Sequence, residues 1–196
     1  MNWLFSKDFY ENYPSQEDAV KKMAVLVESL VNPSDLFDVG AAFGYMVRYF
    51  RDLSVNARGL DISDYACSRS KGFVYCHDAH KTIPEPENSW DVVVCTRTLG
   101  YISPMAVGSV ISDMARVAGR FLILMTPLDR DIEGVPTSVR PREYWTDLIE
   151  VAGLQAARTV QNDFNRCVIS KKMGWNGAWH VIDTSGYGNR VAGCYS

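Results

Sequence analysis

The sequence predicts an α/β fold, a three-layer sandwich on a mostly parallel seven-stranded sheet that ends in an antiparallel C-terminal hairpin. Short apolar runs with strand character alternate with amphipathic stretches, the order left by βαβ units whose helices cover both sheet faces. The run Trp90-Asp91-Val92-Val93-Val94-Cys95 is β-branched without polar alternation, as a central strand buried on both faces requires. A chain of 196 residues, 47% hydrophobic and 22% charged, is the right size and composition for one domain around one core.

The first helix is read from Ser15 to Val31. Ser15 caps it with Asp18 three residues on, Val20, Met23, Ala24, Val27 and Leu30 share one face, and Asn32-Pro33 ends it. Leu36–Val39 is strand one; a glycine turn leads into a helix through Met46, Val47 and Phe50; Ala57–Asp61 and Phe73–Cys76 are strands two and three. After the Trp90–Cys95 strand, a helix from Pro104 to Ala118 puts Val107, Val110, Ile111, Met114 and Val117 on its inner side, and Arg120–Met125 is strand five. Arg142 to Val151 reads as a helix stopped at Gly153, and Leu154–Gln161 and Phe164–Lys171 are expected to pair as the closing hairpin through Asn162-Asp163. The reading is of a single domain over 1–196: an N-terminal lid and helix (1–31), a core (35–171) and a glycine- and aromatic-rich extension (172–196) that packs on a neighbour or caps the sheet edge.

Composition narrows the functional classes. A net charge of −3 speaks against a face that neutralises many phosphates, so nucleic acid is not expected as a partner. Cys67, Cys76, Cys95, Cys167 and Cys194 lack CxxC spacing, and Cys95 and Cys167 fall in apolar runs, so all read as reduced thiols. The histidines and carboxylates show no metal-ligand spacing, and no metal is expected. No run approaches the roughly 20 apolar residues that span a bilayer, and the start lacks a basic region before an apolar one. A soluble, cytoplasmic protein without a membrane partner is therefore expected, and a homo-oligomer stays open.

The chemistry concentrates in Asp38-Val39-Gly40-Ala41-Ala42-Phe43-Gly44. Small residues between a strand and a helix let peptide N–H groups approach a ligand at the helix N-terminus. A dinucleotide turn needs a small residue at the sixth place of G-x-G-x-x-G; here that place is Tyr45, so NAD fits poorly. The pattern D-x-G-x-[GA]-x-G instead resembles motif I of the class I (Rossmann-like) methyltransferases that depend on S-adenosylmethionine (SAM), with Ala42 where the family has its middle glycine. The likeness continues in order: Gly59-Leu60-Asp61-Ile62-Ser63, with Asp61 17 residues after Gly44, then His77-Asp78-Ala79, then Ser89-Trp90-Asp91-Val92-Val93-Val94.

That resemblance implies SAM as cofactor and S-adenosylhomocysteine (SAH) as product. It assigns Asp38, Gly40, Ala41, Ala42 and Gly44 to the turn behind the methionine moiety, and Asp61 with Ile62 to the ribose. Asp78 and Ala79 go to adenine, and Thr96 and Arg97 to the end of strand four. In such enzymes the acceptor lies beyond strand four, where Thr96–Tyr101 would form the floor. There is neither an Asn/Asp-Pro-Pro-aromatic motif nor a Pro-Cys nucleophile, which disfavours adenine and cytosine C5 acceptors. Gly100-Tyr101 stands where many small-molecule relatives carry Glu-His. Tyr101, Asp129 and Asp131 are the candidate catalytic or acceptor-orienting groups. Of the other candidates, His80 reads as a surface or lid residue and His180 lies in a segment without an assigned place.

The segment Thr126–Trp145, with Arg140-Pro141-Arg142-Glu143-Tyr144-Trp145, loosely resembles methyltransferases of sugar and glycan gene clusters. It favours O-methylation of a sugar, a glycan or another small polar metabolite over N-methylation. Trp3, Phe5, Phe9, Tyr10 and Tyr13 are read as a cofactor lid. Two rivals stand beside this reading: a non-catalytic SAM-binding scaffold, and an NAD(P)-dependent oxidoreductase, which Tyr45 and the missing Tyr-x-x-x-Lys pair disfavour.

Overall fold

A computed structural model of the chain describes residues 5–12, 17–127, 139–171 and 177–185. Seven strands form one sheet: β1 (Asp35–Val39), β2 (Asn56–Asp61), β3 (Val74–Cys76), β4 (Trp90–Thr96), β5 (Ala118–Pro127), β6 (Gln155–Ala156) and β7 (Gly177–Asp183). Their spatial order is β3-β2-β1-β4-β5-β7-β6, with the first five parallel and β7 antiparallel to both its neighbours. The helices are α1 (Lys7–Asn12), α2 (Glu17–Val31), α3 (Tyr45–Asp52), α4 (Asp64–Arg69), α5 (Val107–Val117), α6 (Arg142–Val151) and α7 (Arg158–Lys171).

The expected central strand is central. On β4, Val92 and Val94 face the layer of α2, α3 and α7, while Val93 and Cys95 face that of α5 and α6, and all four are fully buried. Burial of such side chains on both faces stabilises each by about 1.5–3 kcal/mol relative to exposure. The amino ends of the strands are tied by polar contacts. Arg120 pairs with Asp91 at 2.6 Å and donates to Val31 O at 3.1 Å, and Asp91 accepts from Ser34 N–H at 2.9 Å. This fixes the end of α2 against β4 and β5, and leaves the opposite rim, at the carboxyl ends of the parallel strands, to carry the site.

The closing hairpin is corrected. Residues 154–171 are not two paired strands but the two-residue β6 followed by α7, and Cys167 therefore lies on a helix rather than in a buried strand. The antiparallel partner comes from the expected extension instead: β7 is the sixth strand across, hydrogen-bonded between β5 and β6, not a tail added to a finished sheet. Registry explains why. β7 buries Ala178, Trp179, Val181 and Ile182 along β5, whereas residues 157–161 face inward only at helical spacing, through Ala157 and Val160.

Gln161 completes the arrangement, because β6 pairs only with Ile182 and Asp183. Farther along the same flank of β7, the Gln161 side chain donates Nε2–H to Trp179 O at 2.9 Å and accepts Val181 N–H at Oε1 at 2.6 Å. The helices α1 and α4 are two elements that the sequence does not predict; Ser63 caps α4 by accepting from Ala66 N–H at 3.3 Å. Ile182 is 1% exposed on β7, so Ile182→Ala is expected to cost about 2–5 kcal/mol. Chemical denaturation measures this, and a cost below about 0.5 kcal/mol would mark β7 as peripheral.

Candidate functional site

The strand order reverses between β1 and β4, and a cleft of about 490 Å³ opens there at the carboxyl rim. Into it come residues far apart in sequence: Asp38 and Gly40–Phe43 after β1, Asp61 and Ile62 after β2, His77–His80 after β3, and Thr96–Thr98 with Tyr101 after β4. Of the expected cofactor set, every member lines this cleft except Gly44. That residue sits behind the turn in the left-handed region at φ 71°, where a Cβ would come within 2.9 Å of Val74. Its work is to start α3.

Two further backbone features shape the turn. Gly40 has φ 80°, and a Cβ there would lie 2.7 Å from that of Thr98, so glycine lets the β4 loop close over the β1 turn. Ala42, at the family's middle glycine, takes φ 48°, a left-handed conformation that costs an alanine roughly 1–2 kcal/mol. Arg97 adopts φ 63° at the end of β4, a second non-glycine residue held there on the cleft wall.

The carboxylates Asp38, Asp61 and Asp78 on the cleft wall stand in different states. Asp38 is 4% exposed and its Oδ1 has no hydrogen-bond partner among the described residues. Burial, with the Asp61 charge adding to it, pushes its carboxyl up to about 7. Asp61 is also raised by burial, but peptide donors counter this: Ser63 N–H reaches Oδ1 and Ala42 N–H reaches Oδ2, each at 2.8 Å. Asp78 is partly exposed, and although burial pulls it upward, donation from His80 holds it below the usual carboxylate range. Its Oδ1 accepts His80 N–H at 3.0 Å and faces His80 Nδ1 at 2.8 Å. His80 is thus a partner of Asp78 on the cleft wall, not an isolated surface group.

The expected lid is in place for its described members. Phe5, Phe9 and Tyr10 line the cleft, while Trp3 and Tyr13 lie outside the described residues. Ser63 Oγ donates to Phe5 O at 2.6 Å, Tyr65 O–H donates to Glu11 Oε1 at 3.0 Å, and the Phe5 ring stands edge-on to Tyr101 at 5.3 Å. Phe5 and α1 together therefore bridge the mouth from the β2–α4 corner to the short helical turn Leu99–Tyr101. Tyr10 O–H donates to Asp61 Oδ1 at 3.4 Å, and burial followed by the Asp61 charge raises the phenol.

Asp129 and Asp131 lie outside the described residues. His180 is on β7, with Nε2 at 3.1 Å from Thr126 Oγ1, and burial brings it down to about 4, so it is a neutral buried side chain and not part of the cleft lining. Sequence reasoning missed Phe43 and Ile102 in the wall; nothing in an unaligned sequence separates a lining residue of that kind from core. Among the described residues, no three His, Cys, Asp or Glu side chains group as a metal site, and no helix is long and apolar enough to cross a membrane.

Residues 37–123 match a family described as a methyltransferase domain, a span that contains the turn and all three carboxylates. No curated protein matches the chain. Among solved structures, a SAM-dependent methyltransferase from Archaeoglobus fulgidus superposes with a TM-score of 0.67 at 12% identity, covering 89% of this chain and 97% of that one. A possible histamine N-methyltransferase from Thermotoga maritima gives 0.62 at 15% identity (79% and 82% covered). Magnesium protoporphyrin IX methyltransferase from Synechocystis PCC 6803, with SAH bound, gives 0.60 at 15% (72% and 74%).

Two expectations test the site without a ligand. Ala42→Gly relieves more strain than the added freedom of the unfolded chain offsets, so it is expected to stabilise by roughly 0.5–1 kcal/mol in urea denaturation. Because the folded state favours neutral Asp38, its contribution to stability is complete below about pH 4 and is lost as pH rises through about 7. Asp38→Asn should therefore unfold at higher temperature than the parent at pH 8, by at least about 2–4 °C, and the gap should shrink towards pH 4. A gap independent of pH would contradict the assignment. By its sheet order and helix layers the chain has the Rossmann-like methyltransferase fold, and its cofactor-face segment 37–123 matches the methyltransferase domain family.

Proposed function

We propose that the protein is a SAM-dependent methyltransferase that acts on a small polar acceptor, most specifically a hydroxyl of a sugar or glycan. The observation that carries the cofactor assignment is the convergence of the Gly40–Ala42 turn, Asp61, Asp78 with Ala79, and Thr96–Arg97 on one cleft. The donor set fits the molecule: an orphaned buried Asp38 Oδ1 and the Asp61 carboxylate suit a ligand with a cationic end and a ribose diol. SAM, when bound, supplies an electrophilic methyl group on a positively charged sulfur.

The chain's own work is then alignment and exclusion of water. The Gly40–Ala42 peptide groups back the methionine end, Asp61 accepts ribose hydroxyl protons, and Asp78 with Ala79 reads adenine. Phe5, Phe9 and Tyr10 cover the cleft, and the Tyr101 hydroxyl orients the acceptor beyond β4. Asp129 and Asp131, on the segment after β5, are assigned to the acceptor side from sequence.

The sugar assignment rests on the loose likeness of Thr126–Trp145, with Arg140-Pro141-Arg142-Glu143-Tyr144-Trp145, to methyltransferases of sugar and glycan gene clusters. Calorimetric titration should show binding of SAH and none of NAD, weakened at least about tenfold by Asp61→Ala, the loss expected of a charged acceptor worth over 1.4 kcal/mol. Tight NAD binding would overturn the reading. SAH release from SAM with a panel of sugars, phenols and amines separates an enzyme from a binding scaffold, and sugars are expected to give the turnover.

A further inference from the structure

A carboxylate presents about four lone-pair sites, two on each oxygen. At Asp61, Ser63 N–H takes one on Oδ1 and Ala42 N–H takes one on Oδ2, both at 2.8 Å and both built into turns that cannot leave without unmaking the α4 cap or the β1 turn. Tyr10 O–H takes the second site on Oδ1. At 3.4 Å this contact is longer than the usual 2.5–3.0 Å for O–H···O, so the phenol is held more weakly than the Ser63 and Ala42 peptide groups. A vicinal diol that bridges both carboxylate oxygens needs one site on each. The Ile62 peptide N–H adds to the backbone donors, so the one donor on Oδ1 that can give way to a ligand hydroxyl is the Tyr10 side chain.

We propose that Tyr10 determines specificity within the cofactor site: its phenol holds the place on Asp61 Oδ1 that one ribose hydroxyl must take, so that only a ligand carrying that hydroxyl displaces it. The inference rests on reading the cleft as the SAM site. The cover does not depend on this bond. Ser63 and Tyr65 anchor α1 independently at Phe5 O and Glu11, and the Tyr10 ring packs on Phe43 at 5.0 Å. The hydroxyl is therefore free to leave Asp61 while the ring stays, and Tyr10→Phe deletes the competing donor without removing the apolar cover.

The test is calorimetric titration of SAH and its 2′-deoxy and 3′-deoxy counterparts into the parent chain and Tyr10→Phe, with thermal unfolding to show that both are folded. Tyr10→Phe is expected to bind SAH about 3–10 times more tightly, the range for a weakened hydrogen bond to a charged acceptor. The deoxy ligand that lacks the hydroxyl facing Oδ1 should gain nothing. Unchanged or weaker SAH binding by Tyr10→Phe, or an equal gain for all three ligands, would overturn the role of Tyr10 and leave the cofactor reading intact. Failure of both folded proteins to bind SAH would overturn the cofactor reading and this inference with it.

Discussion

The site depends on one carboxylate held in place by the backbone around it. Asp61 lies at the end of β2, yet it accepts Ala42 N–H from the turn after β1 and Ser63 N–H from the cap of α4, and so joins two neighbouring crossovers at the sheet rim. Both peptide groups use this carboxylate as their acceptor, and an N–H that loses its acceptor on burial costs about 1–3 kcal/mol. The same carboxylate that would receive a ligand therefore keeps the floor of the cleft in shape when no ligand is considered. The proposed ligand contact and the fold share a residue here, and the raised, buried Asp38 beside it shows the electrostatic cost of placing two acids at the same rim.

The rest of the molecule makes that rim available. Parallel strands send all their carboxyl ends to one side, and the buried β4 valines and the Arg120–Asp91 pair secure the opposite side. Two non-glycine residues at positive φ, Ala42 and Arg97, flank the cleft where chain segments approach closely.

Much of this was legible before the fold was known, and the reasons are local. The glycine turn, the acid at the end of β2 and the unbroken β4 run each carry a signature within a few residues, and the structure brings them together. What failed was non-local. Residues 154–171 contain an Asn-Asp pair between apolar runs, which by itself reads as a hairpin; the decision for a helix comes from β7, some twenty residues later, which takes the place beside β5. Tyr10 belonged to an aromatic run that promised only cover, and its hydroxyl contact spans 51 residues, beyond any periodicity. Gly44 matched the motif but serves helix geometry, because motif position and ligand contact are separate properties.

The two hydrogen bonds that Gln161 makes to β7 also bear on the exposed edge of that strand. A sheet flank with exposed peptide groups is a template on which a foreign chain can add itself. Here β6 covers two residues of β7, and farther along a primary amide presents one donor and one acceptor at the spacing a neighbouring peptide would use. One helical side chain thus stands in for a missing segment of strand, and this flank of the fold is guarded against cross-β self-assembly by a group that cannot itself propagate a sheet.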